Sequence, residues 1–205
     1  MQLVPPRWKP ARLAAAAVCA TLLAAAPTSA VAAEHSATKA AATAAYASNS
    51  LPISMQTQEQ NQWCWVASGD TIATYLGYGT DQNSFCDLAR GYPTSYQCPN
   101  EAGYLSWDQN AFQALGLRSG YETYSPVSFS QIVYDIDNNH PEETGISWTS
   151  GGGHAEVIYG YDSTAQTIYF ADPWPSDQRY NEMTYSDYSS NYEFYWDDTV
   201  YEIGA

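Results

Sequence analysis

Pro141 divides this chain into two parts with different hydrophobic periods, and the order of those parts narrows the folds open to it. Before Pro141 the apolar residues recur three and four apart. Val66, Ile72, Ala73 and Leu76 mark one face of a helix from Trp63 to Tyr78, stopped by Gly77 and Gly79. A second short helix is predicted from Asn83 to Arg90. Ser106 with Gln109 three residues on resembles a capping box, and Phe112 and Leu115 supply the stripe of a third helix ending at Gly116. Ser128 opens a fourth through Asn139, with Ile132, Val133 and Ile136 on one side, and Pro141 ends it. Beyond it the pattern alternates, through Thr144 to Trp148, His154 to Asp162, Gln166 to Asp172, and two tyrosine-rich runs up to Ile203. Helices first and an antiparallel sheet afterwards predict an α+β domain.

Residues 1–33 read as a signal peptide: Arg7, Lys9 and Arg12 precede an apolar run from Leu13 to Ala26, and small residues follow through Ala33. The run is shorter than the roughly 20 residues that cross a bilayer, so no membrane partner is expected after cleavage. Residues 34–50, rich in Ala, Ser and Thr without an apolar period, read as a flexible leader or short propeptide, and residues 51–205 as one domain. Loss of residues 1–33 removes three of the seven basic residues and no acidic one, which takes the net charge from −15 to −18. Repulsion then disfavours nucleic acid and anionic membranes and favours cationic substrates. The expected product is a secreted, extracellular monomer.

Cys19 falls in the signal peptide, and Cys86 and Cys98 stand close enough to bridge each other. Such a bridge closes a loop of about 13 residues and would stabilise the domain by roughly 3 kcal/mol on the chain-entropy model. Cys64 is left over, in the first turn of the first helix. A nucleophilic sulfur is a thiolate, which a helix dipole and an imidazolium partner both favour. Of the three histidines, His35 lies in the leader, and His140 sits before Pro141 where a solvated or capping role suits it. His154 follows Gly151, Gly152 and Gly153 into a strand. A hairpin centred near Thr164 sets residue 156 opposite residue 172, so that His154 and Asp172 share a face as diagonal neighbours. A slip of one residue would separate them. Asp172 is thus the candidate to hold the imidazole, against a plain turn role before Pro173, and Glu156 ranks below it. The backbone N–H of Cys64 and one of Gln56, Gln58, Gln60 or Gln62 are candidate oxyanion donors. Metal-site spacings such as CxxC and HExxH are absent, so neither a metal nor another cofactor is expected.

Gln58, then Cys64 between Trp63 and Trp65, then Gly153-His154 with Val157-Ile158-Tyr159-Gly160-Tyr161-Asp162, then Asp172-Pro173-Trp174, together resemble the short bacterial secreted branch of papain-like cysteine peptidases. That branch is related to effector-type and double-glycine-leader peptidases. The resemblance implies a papain-like fold, with an N-terminal helical part whose nucleophile helix packs on a C-terminal antiparallel sheet. It also implies Cys64 as nucleophile, His154 as base and acid, Asp172 as orienting group, Gln58 as oxyanion-hole amide and Trp174 as a shield for the site. The implied activity is hydrolysis of protein or peptide substrates through a thioester. A transglutaminase or amidase using the same three residues, and an inert extracellular binding module, are the rival readings.

Overall fold

The computed structural model describes residues 47–205; the expected signal peptide and residues 34–46 of the expected leader lie outside them. Four helices of the first part form where the apolar period places them. Helix α1 spans Cys64–Tyr75 and buries Trp65, Val66, Ile72 and Ala73, and Gly77 at φ 89° turns the chain away after it. Helix α2, Gln82–Arg90, starts at Asp81, whose side chain accepts the Ser84 N–H, and stops at Gly91 in the left-handed region. Helix α3, Leu105–Leu115, ends at Gly116 in the same conformation. Helix α4, Phe129–Asp137, is capped by Ser128, which accepts the Gln131 N–H. The expected capping box of α3 does not form. Tyr104 stands at its N-cap without a side-chain bond, and Gln109 instead donates to the carbonyl of Gly120 at 3.0 Å. The Cys86–Cys98 disulfide joins α2 to the loop that follows it.

The sheet is antiparallel throughout. Its strands are β1 (Ser48–Ser50), β2 (Tyr121–Thr123), β3 (Glu142–Trp148), β4 (Gly153–Asp162), β5 (Thr167–Ala171), β6 (Tyr180–Thr184) and β7 (Phe194–Tyr201). They run in the order β2-β7-β3-β4-β5-β6, with β1 added on β4. Strands β1 and β2 come from the helical part of the chain, where three residues are too few to show a period. Pairing of Ser48–Ser50 with β4 starts the folded body just before Leu51, inside the segment read as leader. A short helix α5, Tyr185–Ser189, separates the two tyrosine-rich strands, with Thr184 as its cap.

Val66, Ile72, Phe85, Phe112, Ile132, Ile136, Val157, Ile158, Ile168 and Ile203 have no exposed surface and form one continuous core between helices and sheet. Two carboxylic acids are set into it from adjacent positions of β3. Neighbouring strand residues point to opposite faces, and Glu143 meets Asp108 of α3 while Glu142 meets Asp135 of α4. Helices α3 and α4 therefore cover opposite faces of β3.

Candidate active site

Three segments converge at the N-terminal end of α1. Trp63 and Trp65, 1% and 2% exposed, are drawn inside by their size, and their indole N–H groups donate to the carbonyls of Pro99 at 3.0 Å and Glu101 at 3.1 Å. The Trp-Cys-Trp run thereby clamps the loop after Cys98 against the helix and leaves Cys64 half-buried between two anchored rings. Gly103 lies on the Trp65 indole so closely that a Cβ there would sit 2.5 Å from the ring. No side chain caps α1, and its first turn carries no acid, so the positive end of its dipole is uncancelled at the sulfur.

Strand β4 starts beside this helix end: the Ser68 hydroxyl of α1 donates to the Ala155 carbonyl at 3.2 Å. His154, its second residue, lines the same cleft as Cys64, near enough for the sulfur to raise its pKa, and its Nε2 lies 2.8 Å from Oδ1 of Asp172. With Nε2 taken by the carboxylate, Nδ1 is the ring atom left to serve the sulfur. The diagonal contact expected between His154 and Asp172 forms, by a route the hairpin centre alone does not describe. Near the turn the pairs are Asp162↔Thr167 and Gly160↔Tyr169, a register that would carry Asp172 to the face away from His154. A bulge at Tyr159 shifts the pairing to Ile158↔Phe170 and Val157↔Ala171, which brings the two side chains to one face.

Asp172 is 7% exposed, and its Oδ1 also accepts the Trp174 backbone N–H at 2.7 Å. The rings of Trp174 and His154 meet edge to face at 6.5 Å, and the Trp148 ring stacks near-parallel to the imidazole at 6.3 Å and 25°. Gln58 is buried, and its backbone N–H donates to the Pro173 carbonyl at 3.0 Å. One N–H of its amide donates to Gln60 O at 2.7 Å, which leaves the second N–H for another acceptor. Cys64, Trp65, Gly103, Tyr104, Trp148, His154 and Trp174 line a cleft of about 630 Å³ together with Asp177, Asp197 and Asp198.

Burial opposes a charge on His154, but Asp172, Cys64 and Glu156 outweigh it and raise its pKa to about 10. Burial raises Glu156 to about 7, against the lowering influence of His154 and Tyr188. His154, Glu156 and Asp172 are the one grouping of three such donors among the described residues, within 4.8 Å of one another, and the bonds from His154 to Asp172 and from Tyr188 to Glu156 already engage them. His140 takes no part: its Nε2 lies 2.8 Å from Arg118 Nη2, and its Nδ1 3.7 Å from Asp135. The arrangement offers a sulfur, an imidazole that holds its proton, and a carboxylate that fixes the ring.

The family model described as papain-like cysteine protease AvrRpt2 matches residues 46–193. The chain belongs to that family. Its papain-like fold is the α+β one described above. Among solved structures, a double glycine motif protease from an AMS/PCAT transporter, in complex with its leader peptide, is 13% identical with a TM-score of 0.47, over 75% of this chain and 93% of that one. Xylellain, a cysteine protease from Xylella fastidiosa, is 11% identical with a TM-score of 0.48, over 77% and 86% of the two chains. The Pseudomonas avirulence protein AvrPphB is 10% identical with a TM-score of 0.35, over 75% and 98%. No curated protein matches the chain.

Two features of this papain-like site have little or no signature in the sequence. Trp148 carries no signal except its place before the Gly151–Gly153 turn. Arg179 donates from one guanidinium nitrogen to the Asp172 carbonyl and from Nη2 to Thr57 Oγ1 at 2.7 Å, tying the aspartate's loop to the segment before α1. Its scarcity is the available clue, since only Lys39, Arg90, Arg118 and Arg179 are basic after residue 33.

Proposed function

We propose that this papain-like protein is a secreted cysteine endopeptidase that cuts peptide bonds through a thioester on Cys64. The observation that carries the reading is the placing of Cys64 and His154 on the wall of one cleft, with the His154 ring bonded to the buried Asp172 carboxylate behind it. The Cys64 sulfur attacks the substrate carbonyl as a thiolate, with its proton on His154. The oxyanion that forms faces the Cys64 N–H at the open end of α1 and the second amide N–H of Gln58. His154 passes its proton to the leaving amine. It then takes a proton from the water that opens the thioester, while Asp172 keeps the ring aligned through Nε2. Trp174 and Trp148 pack against the imidazole and keep bulk water from its bond to Asp172.

The substrate is a protein or peptide, and a cationic one binds better. Asp177, Asp197 and Asp198 line the cleft, and His154 is its one basic lining residue. Export through the N-terminal signal fits the Cys86–Cys98 disulfide, which persists in an oxidising compartment. Among the described residues no helix is long and apolar enough to cross a membrane.

Iodoacetamide or an epoxide is expected to modify Cys64 selectively and abolish casein hydrolysis, with no labelling in Cys64→Ala. Ammonia release or cross-linking without cleavage would replace the peptidase reading with transglutaminase or amidase chemistry. Absence of both labelling and turnover would leave an inert binding module. Raising salt should slow cleavage of Lys/Arg-rich peptides more than that of neutral ones.

A further inference from the structure

Behind the imidazole stands a carboxyl group that the proposed reaction leaves unused. Glu156 lies two residues past His154 on β4, so both side chains leave the same face, and the pairing Val157↔Ala171 extended by one residue places Glu156 across from Asp172. Glu156 is 4% exposed. Its Oε2 accepts the Tyr188 hydroxyl at 2.7 Å, and that hydroxyl is 2.7 Å from Thr144 Oγ1, on the strand position directly across from Glu156. With its one proton given to Glu156, the Tyr188 oxygen is left to accept from Thr144, whose hydroxyl also lies 3.4 Å from the Glu156 backbone carbonyl. The Tyr188 hydroxyl is thus oriented toward the carboxyl, the polarity a carboxylate wants.

We infer that Glu156 is a positioning residue for His154: its carboxylate, sealed from solvent and given a hydrogen bond by Tyr188, holds the imidazole in its charged form. The inference rests on the proposed catalytic role of His154 and adds a second carboxylate to the one it contacts directly.

The two anions act differently. Asp172 fixes the ring by a hydrogen bond at Nε2, and Trp174 N–H already shares the same oxygen. Glu156 acts through its charge over no more than 4.8 Å in the buried interior, where screening by water is weak. The groups facing Glu156 are His154 on its own strand, Asp172 and Asp177 from the segment after β5, and Tyr188 from α5. Cys64 of α1 reaches it through His154. Burial raises Glu156 most; His154 and Tyr188 lower it and the two aspartates raise it, leaving it at about 7. Above that pH the site gains a negative charge behind the imidazole, and by reciprocity the proton on His154 is held more firmly. The consequence is an active ion pair that persists into alkaline solution.

The test is a titration of histidine-¹⁵N-labelled full-length protein by NMR, with the His154 signal identified by its loss in His154→Ala. The wild type is expected to show a small inflection near pH 7 and a main transition near pH 10. In Glu156→Gln the inflection should vanish and the proton affinity of His154 should fall about ten- to a hundredfold, carrying the alkaline limb of kcat/KM down with it. Tyr188→Phe removes the donor but keeps the carboxylate, so it should move the inflection upward and leave the alkaline transition in place. A Glu156→Gln titration that overlays the wild type overturns the inference. Should that variant fail to fold, a wild-type His154 curve without the inflection does the same. The NMR readout needs no peptide cleavage, so loss of the peptidase reading and loss of this one are separate outcomes.

Discussion

The core predicts a protein that loses stability as pH rises from the acid side. Asp108, Glu143, Glu142 and Asp135 have no exposed surface and pair as acid with acid, Asp108 with Glu143 and Asp135 with Glu142. Burial, then the neighbouring acid, pushes Asp108 and Glu142 well above the usual carboxylate range, and burial does the same to Glu143. Cys64 and Asp198 add to the negative surroundings of the first pair. The second has Gln131 and His140 near Asp135, with Arg118 behind His140. Two carboxylates cannot both ionise at hydrogen-bond range in a dry interior, so each pair retains a shared proton. A group whose folded pKa is raised gives its full stabilisation below the unfolded pKa, near 4 for these acids, and loses it as pH climbs through the folded value. Each retained proton costs about 1.4 kcal/mol of stability per pH unit once the unfolded chain has released its own. Two pairs give a slope of about 2.7 kcal/mol per unit, hence about 5 kcal/mol between about pH 5 and pH 7, against a usual total of 5–15 kcal/mol. Glu156 adds to the fall between about 4.5 and about 7, and His154 between about 6.5 and about 10. Asp81, the exposed cap of α2, is lowered by its bonds to Ser84 and works weakly in the opposite sense.

Urea unfolding followed by tryptophan fluorescence, at fixed ionic strength and in half-unit pH steps, measures this slope. Glu142→Gln is the decisive variant because an amide donates to Asp135 without borrowing a proton, and the position lies across the sheet from α3. It should match the wild type near pH 5, halve the slope, and exceed wild-type stability at pH 7 by about 2–3 kcal/mol. Adding Glu143→Gln should flatten the curve. Wild-type stability that is level or rising from pH 5 to 7 would refute the shared-proton argument. So would a Glu142→Gln curve parallel to the wild type.

Three further outcomes test the framework of the site. Replacing Cys86 and Cys98 together by serine should lower stability by roughly 3 kcal/mol in urea titrations while iodoacetamide still finds Cys64 in the folded fraction. Gly103→Ala puts a Cβ 2.5 Å from the Trp65 ring, so the cleft wall must shift; kcat/KM should drop about ten- to a hundredfold with Cys64 still reactive. Asp172→Asn keeps the shape but not the charge and should cost on the order of 10²–10⁴ in kcat/KM, measured at one pH with Trp fluorescence confirming the fold.

The elements that follow from period alone are the ones whose stability comes from burying a stripe. Helices α1, α2 and α4 and strands β3 to β5 each repeat an apolar position often enough to reveal the period. Strands β1 and β2 have three residues each and pair with partners more than 70 positions away, so their sequences carry no local trace of the pairing. Ser106 and Gln109 match a capping pattern, but the hydroxyl falls one residue inside the helix once Leu105 is buried at 4% exposure. Tertiary burial decides that boundary against the local signal.

At the site, the unpaired cysteine and the histidine after a glycine run are of rare type and can be singled out by elimination. Asp172, one of twelve aspartates, is marked instead by its strand position relative to His154. The register that unites His154 with Asp172 is legible only in outcome, because a bulge at Tyr159 offsets a turn centred between Thr164 and Ala165. Gly160 shows why the bulge is fixed there: a Cβ would meet Tyr169 at 2.6 Å and the Asn49 carbonyl at 2.8 Å, so β1 and β5 can approach β4 together only over a glycine. Glu156 ranks low as a partner for the imidazole because its side chain leaves the strand parallel to that of His154. That same parallel placement is what sets its charge behind the ring, so the geometry that disfavours a direct bond supplies the electrostatic contact.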